Sequence, residues 1–105
     1  MATNALLWVK WQYDTGSPVV KSSYNTSSVT NITTASWQIS SSVATSDGNY
    51  AILGTASNNG MGANWGMCIN PDVTYTNTTT TSRYWTGNGS TGYNSYVNSI
   101  ALFGN

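Results

Sequence analysis

Acid–base chemistry in this 105-residue chain depends on three aspartates, because the sequence contains no histidine and no other side-chain carboxylate. General acid–base catalysis usually uses a histidine or a tuned carboxylate, and two carboxylates flanking one bond would suit glycoside hydrolysis. Asp14, Asp47 and Asp72 all lie near Gly or Pro in turn-like segments. An Asp side chain in such a segment typically caps the turn. We therefore expect no catalytic residue, and the chain is predicted not to be an enzyme.

The remaining reactive side chains indicate no metal or cofactor site. Zinc sites need clusters of Cys or His, and calcium sites usually need several carboxylates. Cys68 is the one cysteine, so it cannot form an intramolecular disulfide, and its neighbours Met67 and Ile69 indicate a small buried side chain. The glycine pairs at 60–62 and 87–89 resemble parts of nucleotide-binding loops, but neither precedes a Lys or a predicted helix.

Aromatic side chains next to amides are the remaining groups able to recognise a ligand. An aromatic ring can stack on the apolar face of a sugar while nearby amides bond its hydroxyls. The sequence offers two such groups, which contain the candidate contacts Asn64, Trp65, Tyr84, Trp85 and Asn88. Trp85 adjoins a glycine-rich loop and is the tryptophan expected to be most exposed. These five residues are the predicted contacts to a glycan or to a partner surface.

The charge content excludes several classes of partner. Three basic and three acidic residues give a net charge of zero. Nucleic-acid binding requires cations near the phosphates, and a polybasic membrane patch requires several more. No stretch approaches the roughly 18 apolar residues of a membrane span. A chain without net charge also lacks the self-repulsion that keeps monomers apart, so we expect a homo-oligomer.

The chain start and the glycosylation motifs bear on localisation. The first residues lack the basic region of a secretory signal, and a retained Met favours cytoplasmic synthesis. Four Asn-X-Ser/Thr motifs, the acceptor sequence for N-glycosylation, begin at Asn25, Asn31, Asn77 and Asn88. Because the sequence is rich in Asn, Ser and Thr, we attribute these motifs to chance.

Alternation of apolar and polar residues predicts β-strands along the whole chain. Leu7, Val9, Trp11 and Tyr13 would share one face of the first strand. Strand-borne Trp8, Trp11 and Trp37 are assigned to packing, and 45–49 and 58–60 are predicted as turns, the first a hairpin. Further strands are predicted at Val19–Tyr24, around Val29 and Ile32, at Trp37–Val43, at Tyr50–Thr55, over a long Val73–Arg83 and at Ser95–Phe103.

Seven or eight short strands at this spacing indicate an all-β protein. An antiparallel β-sandwich, a jelly roll and a small barrel all remain open. The length predicts a single domain over 1–105, large enough to bury a modest core.

In overall character the chain resembles the small structural proteins of tailed-phage virions, such as capsid decoration (cement) proteins or tail-tip domains. The resemblance rests on the Met-Ala start, the short all-β body, scarce charge, abundant Ser, Thr, Asn and Gly, and a C-terminal strand. It carries over no functional residue. It implies a multimer that binds a viral coat lattice, synthesised in the host cytoplasm and located in the virion.

Two other classes fit the same composition. A carbohydrate-binding lectin, cytoplasmic or secreted, would use the exposed aromatic and amide groups. A secreted adhesin or filament subunit would use exposed strand edges. The response of Trp65 or Trp85 fluorescence to soluble glycans would separate the lectin from the coat-binding protein.

Overall fold

The part of the chain that the structure describes forms eight β-strands. Four of them, which begin at Leu7, Ser36, Thr81 and Val97, alternate between buried and more exposed residues and so bury one face. The computed structural model describes residues 5–13, 16–57, 67–89 and 91–104. The strands are β1 (Leu7–Tyr13), β2 (Pro18–Tyr24), β3 (Thr26–Thr33), β4 (Ser36–Ser41), β5 (Tyr50–Ala56), β6 (Cys68–Pro71), β7 (Thr81–Gly87) and β8 (Val97–Gly104).

The strands form two antiparallel sheets of four strands each. Sheet A has the order β2-β1-β8-β5, and sheet B has the order β3-β4-β7-β6. The sheets face each other and neither closes on itself or on the other, so the architecture is a β-sandwich and not a barrel. The predicted all-β class and the strand number are confirmed.

The core lies between the two sheets and is rich in aromatic side chains. The rings of Trp11 from sheet A and Trp37 from sheet B lie 5.6 Å apart, and Tyr13 meets Trp37 edge-on at 5.5 Å. Tilted and edge-on pairs are the favoured aromatic arrangements, since ring edges are positive and ring faces negative. The buried core comprises Leu7, Val9, Trp11, Trp37, Ile39, Ile69, Tyr84, Ile100 and Leu102.

A single residue carries the chain from sheet A to sheet B between β2 and β3. Asn25 has a φ of 52°, a left-handed conformation that Asn tolerates better than most residues. Its Nδ2 donates to the Leu6 and Val43 carbonyls at 3.0 and 3.2 Å, and its Oδ1 accepts from the Val43 N–H at 2.7 Å. This side chain thus ties the corner to the start of β1 and to the link after β4.

Two sequence predictions of secondary structure were wrong. Residues 45–49 are part of the link from β4 in sheet B to β5 in sheet A, and therefore do not close a hairpin. The predicted long strand over Val73–Arg83 begins only at Thr81. In this segment side chains take backbone N–H groups that a strand would use to pair with its neighbour. Asp72 Oδ1 accepts from the Thr74 N–H at 2.9 Å, and Thr78 Oγ1 accepts from the Thr81 N–H at 3.0 Å. Such local hydrogen bonds favour turns over strands.

The packing predictions are correct for Trp11 and Trp37 and wrong for Trp8, while Cys68 is less buried than predicted. Trp11 and Trp37 are fully buried, whereas Trp8 is 40% exposed because it alternates with Leu7 and Val9 onto the outer face of sheet A. Cys68 is a free thiol and only partly buried. The predicted strand face that joined Val43 to Ile39 ends earlier, because β4 stops at Ser41.

Candidate functional site

The outer face of sheet A carries a row of apolar side chains that crosses all four strands. Trp8 on β1 is paired with Tyr24 on β2 and with Ala101 on β8, and Ala101 is paired with Leu53 on β5. Paired residues on antiparallel strands point to the same side of the sheet. Leu53 is 66% exposed and Tyr24 is 56% exposed, although both are large and largely apolar. We call the outward-facing residues Trp8, Tyr24, Leu53 and Ala101 the apolar face.

A shallow groove runs across the apolar face. Its volume is about 480 Å³, and it lies between Trp8 and Leu53 with Gly54 and Ile100 in its lining. A second apolar pair, Ala51 and Phe103, adjoins the apolar face on β5 and β8. The next row on the other side is polar, since it contains Ser22, Lys10, Ser99 and Thr55 in register. The apolar area therefore has a defined polar border.

The outer face of sheet B differs in being polar. Arg83 on β7 pairs with Gln38 on β4, and its Nε donates to Gln38 Oε1 at 2.9 Å. The guanidinium carbon lies 4.3 Å from the centre of the Tyr75 ring, within the range of a cation–π interaction. Arg83, the one basic residue of β7, is therefore already bound to Gln38 and Tyr75 on the same face.

Trp85 is the tryptophan on this polar face. It pairs with Ser36 on β4 and with Asn70 on β6, so a hydroxyl and an amide flank its indole in one cross-strand row. A groove of about 470 Å³ opens beside it. One wall is the β3–β4 turn with Thr33 and Thr34, and the other is the segment after β6. We call this the Trp85 groove.

The indole of Trp85 lies over glycines. A Cβ at Gly87 would overlap the ring at Cη2, and a Cβ at Gly92 would lie 3.1 Å from Nε1. Gly87 and Gly92 are joined by an isolated β-bridge. Since neither residue has a side chain, the ring rests along the strand instead of standing out from the sheet. Trp85 is consequently half-buried while still lining the groove.

The groove walls are held by hydrogen bonds. Asn94 Oδ1 accepts from the Ala35 N–H at 2.8 Å and from Asn31 Nδ2 at 3.1 Å, which fixes the β3–β4 turn. On the other wall Thr74 donates to Asp72 Oδ1 from its hydroxyl at 2.6 Å and from its N–H at 2.9 Å. These two hydrogen bonds lower the pKa of Asp72, with a smaller contribution from the positive charge of Arg83. The carboxylate is therefore ionised at neutral pH.

The predicted contact residues have different outcomes. Trp85 lines the groove, whereas Asn88 lies just after β7, is not among the lining residues, and accepts at Oδ1 from the Thr91 N–H at 2.8 Å. Tyr84 is only 1% exposed, so its prediction as a surface contact was wrong. Asn64 and Trp65 lie outside the described residues. The structure brings Trp85 together instead with Asn70, Asp72 and Ser36.

The sequence contained a signal for part of this result. Arg83 and Trp85 stand two residues apart in a strand, so they share a face, and a charged Arg83 on the outer face places Tyr84 inside. The roles of Asn70 and Ser36 depended on knowing that β6 and β4 flank β7, which the sequence pattern does not specify. The same holds for Trp8 and Leu53 on the apolar face.

Asp47 and Asp72 occupy turns as expected. Asp47 Oδ1 accepts from the Asn49 N–H at 2.7 Å, and Asp72 caps its turn through Thr74. Asp14 lies outside the described residues. No group of three or more His, Cys, Asp or Glu side chains lies together in the part of the chain that the structure describes. In that same part, no helix has the length and apolar character needed to cross a membrane.

Two of the Asn-X-Ser/Thr motifs have their amide nitrogen engaged in the structure. Nδ2 of Asn25 donates to two carbonyls, and Nδ2 of Asn31 donates to the Thr33 and Ser36 carbonyls at 2.9 and 3.0 Å. Glycosylation would attach at this atom and displace these hydrogen bonds. The folded protein is therefore a poor acceptor at both positions.

Comparison of the chain with protein-family models, with curated proteins and with solved structures found no match in any of the three.

Proposed function

We propose that this protein is a non-enzymatic structural protein that self-associates through the apolar face of sheet A and decorates a larger protein assembly, most specifically a viral capsid. The observation that carries the proposal is the row of Tyr24, Trp8, Ala101 and Leu53 across an uncovered sheet face. Exposed apolar patches on small proteins typically mark interaction surfaces.

The partner that the apolar face fits best is a second copy of the chain. A two-fold dimer brings the same patch of both copies together, so an apolar row meets an apolar row. The net charge of zero leaves no repulsion between copies. Lys10, the charged residue in the neighbouring row, lies at the polar border and can stay hydrated while Trp8 and Leu53 are covered.

The size of the face sets the expected strength of this contact. Four strands of about seven residues span roughly 24 by 19 Å. Pairing two such faces would bury on the order of 900 Å² in total, which is at the small end of specific interfaces. We therefore expect a dimer with a dissociation constant in the micromolar range, strengthened where many copies bind one lattice.

Sedimentation velocity over a range of about 1 to 500 µM tests self-association. The variant Leu53→Asn removes an exposed leucine from the apolar face and should weaken the dimer at least about tenfold. Val43→Asn is the matched control, since Val43 is 69% exposed in the β4–β5 link, away from the apolar face. A wild-type chain that remains monomeric throughout, or equal dissociation constants for both variants, would overturn the proposed contact.

The virion role has its own test. Density-gradient fractionation of the native source, followed by mass spectrometry of this chain, should show it with nucleic-acid-containing particles in a fixed ratio to the coat protein. Recovery of the chain only in the soluble fraction would overturn the proposed decoration role. In that case a carbohydrate-binding module, which the Trp85 groove favours, becomes the leading function.

A further inference from the structure

We propose that the Trp85 groove on sheet B is a binding site for a neutral oligosaccharide, which is a function separate from assembly through sheet A. The ring of Trp85 would stack on the apolar face of one sugar unit. The polar side chains on both walls would bond its hydroxyls. The site is distinct from the apolar face because the two lie on opposite outer surfaces of the sandwich.

The dimensions and the chemistry of the groove fit a ligand of this kind. Its volume of about 470 Å³ falls within the usual range of small-molecule sites, roughly 300–1,000 Å³. One aromatic platform with a few convergent polar groups is the typical composition of such a site. Ser36 and Asn70 are the cross-strand neighbours of Trp85 on the two flanking strands, and both line the groove together with it.

The polar groups offer both donors and acceptors, which sugar hydroxyls require. Hydroxyls and amides can act in either role, and a carboxylate accepts only. Both hydrogen bonds from Thr74 go to Asp72 Oδ1, so Oδ2 has no donor among the described residues. The amide of Asn70 is exposed, and its Nδ2 donates to Cys68 Sγ at 3.3 Å, a weak acceptor. Both side chains can therefore bond a ligand at little cost.

The charge of the groove selects against anions. Among the described residues that line it, Asp72 is the one charged side chain, and it is an acid. Arg83 is held against Gln38 and Tyr75. A phosphate, sulfate or uronic acid would meet the Asp72 carboxylate, and no cation stands among the described residues that line the groove. The expected ligand is therefore a neutral sugar.

A proline-rich peptide is the other class of ligand that an exposed indole can bind. Grooves for such peptides are lined by several aromatic rings that grip an extended helix. Among the described residues that line this groove, Trp85 supplies the one aromatic ring, beside Pro71, Val73 and polar side chains. The lining consequently favours the sugar, and the peptide becomes an outcome of the test.

The glycines beneath the indole limit how the ring can move. Gly87 and Gly92 support one side of it, and the walls are fixed by Asn94 and Thr74. A ring and walls held in place before binding lose little conformational freedom when a ligand arrives. The groove is thus prepared for a rigid ring-shaped ligand.

Isothermal titration with cellotetraose, maltotetraose, mannotetraose and chitotetraose tests the proposal, with tetragalacturonate as the charged comparison. We expect saturable binding of at least one neutral tetrasaccharide, and affinity for tetragalacturonate at least about tenfold lower. Asn70→Ala changes an exposed residue and should lower the affinity about tenfold, as should Trp85→Ala. Trp8→Phe, on the apolar face, is the control and should bind as the wild type does.

Three results would overturn the site. The first is no binding of any neutral tetrasaccharide up to about 10 mM. The second is unchanged affinity in Asn70→Ala, a variant that decides the matter even if Trp85→Ala does not fold. The third is binding of a decaproline peptide that depends on Trp85 while the sugars fail to bind. Leu53→Asn should retain sugar binding while losing self-association, so failure of this proposal and failure of the assembly proposal are distinguishable.

Discussion

The indole Nε1 of Trp37 donates a 2.9 Å hydrogen bond to Oγ1 of Thr86, between two neighbouring strands in the core of sheet B. The Thr86 hydroxyl in turn donates to the carbonyl of Tyr93 at 2.6 Å. One buried hydroxyl thus satisfies a core indole and fixes the segment that leads from β7 to β8. It also explains why a threonine occupies a fully buried position between Tyr84 and Gly87.

Replacing Thr86 by valine should destabilise the protein although the shape is kept. Thr86→Val leaves the N–H of Trp37 buried without its acceptor and removes the hydroxyl that donates to the Tyr93 carbonyl. The free energy of unfolding should therefore fall by about 1–3 kcal/mol. Urea denaturation followed by circular dichroism measures the change. Thr30→Val, on the exposed face of β3, is the control and should stay within about 0.5 kcal/mol of the wild type. Equal effects of both changes would contradict this account.

Asn25 allows the backbone and side-chain contributions of one corner to be separated. Asn25→Ala removes three hydrogen bonds and places a Cβ-bearing residue without a polar group at a φ of 52°, so we expect a loss of about 2–4 kcal/mol. Asn25→Gly loses the same hydrogen bonds but accepts the backbone conformation. It should therefore be about 1 kcal/mol more stable than Asn25→Ala. The reverse order in thermal or urea unfolding would show that φ contributes little here.

The buried Tyr84 should make the folded protein less stable at alkaline pH. Burial raises the pKa of Tyr84 above its ordinary 10.0, and burial likewise raises the pKa of Tyr50. Above about pH 10 the unfolded chain loses these protons while the folded chain keeps them, so the free energy of unfolding falls as the pH rises. Tyr84→Phe should make this fall less steep between about pH 10 and 12 in urea titrations at each pH. Identical slopes for variant and wild type would exclude Tyr84 as a source.

Gly87 should be sensitive to a single added methyl group. In Gly87→Ala the Cβ would overlap the Trp85 ring and the Thr91 carbonyl, so the ring must shift, at a cost of about 1–3 kcal/mol and with a changed tryptophan emission spectrum. Gly16→Ala is the comparison. Its added Cβ would meet no atom within 4 Å apart from its chain neighbours, but the φ of Gly16 is +86°. We therefore expect a backbone cost of about 1 kcal/mol and no change in the emission spectrum. An unchanged spectrum in Gly87→Ala would mean that the ring does not rest on this glycine.

Sequence reasoning succeeded where alternation was clear. The alternation predicts that Leu7, Val9 and Trp11 share one face of the first strand, and the structure buries that face against sheet B. It failed in the segment before β7, where the Asp72 carboxylate accepts from the Thr74 N–H and the Thr78 hydroxyl oxygen accepts from the Thr81 N–H, so these N–H groups are not available to a strand. β-branched content alone had favoured a strand in that segment.

The candidate site was predictable in part. The glycine-rich loop after β7 indicated an exposed Trp85, and Trp85 lines the surface groove. Tyr84, predicted as a contact from the same segment, is buried because it alternates with Arg83 and Trp85 onto the inner face of β7. Asn70 and Ser36 were missed because they come from other strands. Their place beside Trp85 follows from the order β4-β7-β6, and no local pattern encodes that order.

The composition and the alternation of this chain determined by themselves that it is an all-β protein, and the local sequence around Asp47 and Asp72 determined that these two carboxylates cap turns. The tertiary structure alone decided which strands became neighbours. Trp8 and Ala101 are paired although they lie near opposite ends of the sequence. Trp85 is paired with Ser36 on one side and with Asn70 on the other. The physical reason is that alternation fixes only the buried side of each strand, while packing of the two sheets around the core selects the neighbours and so creates both exposed surfaces.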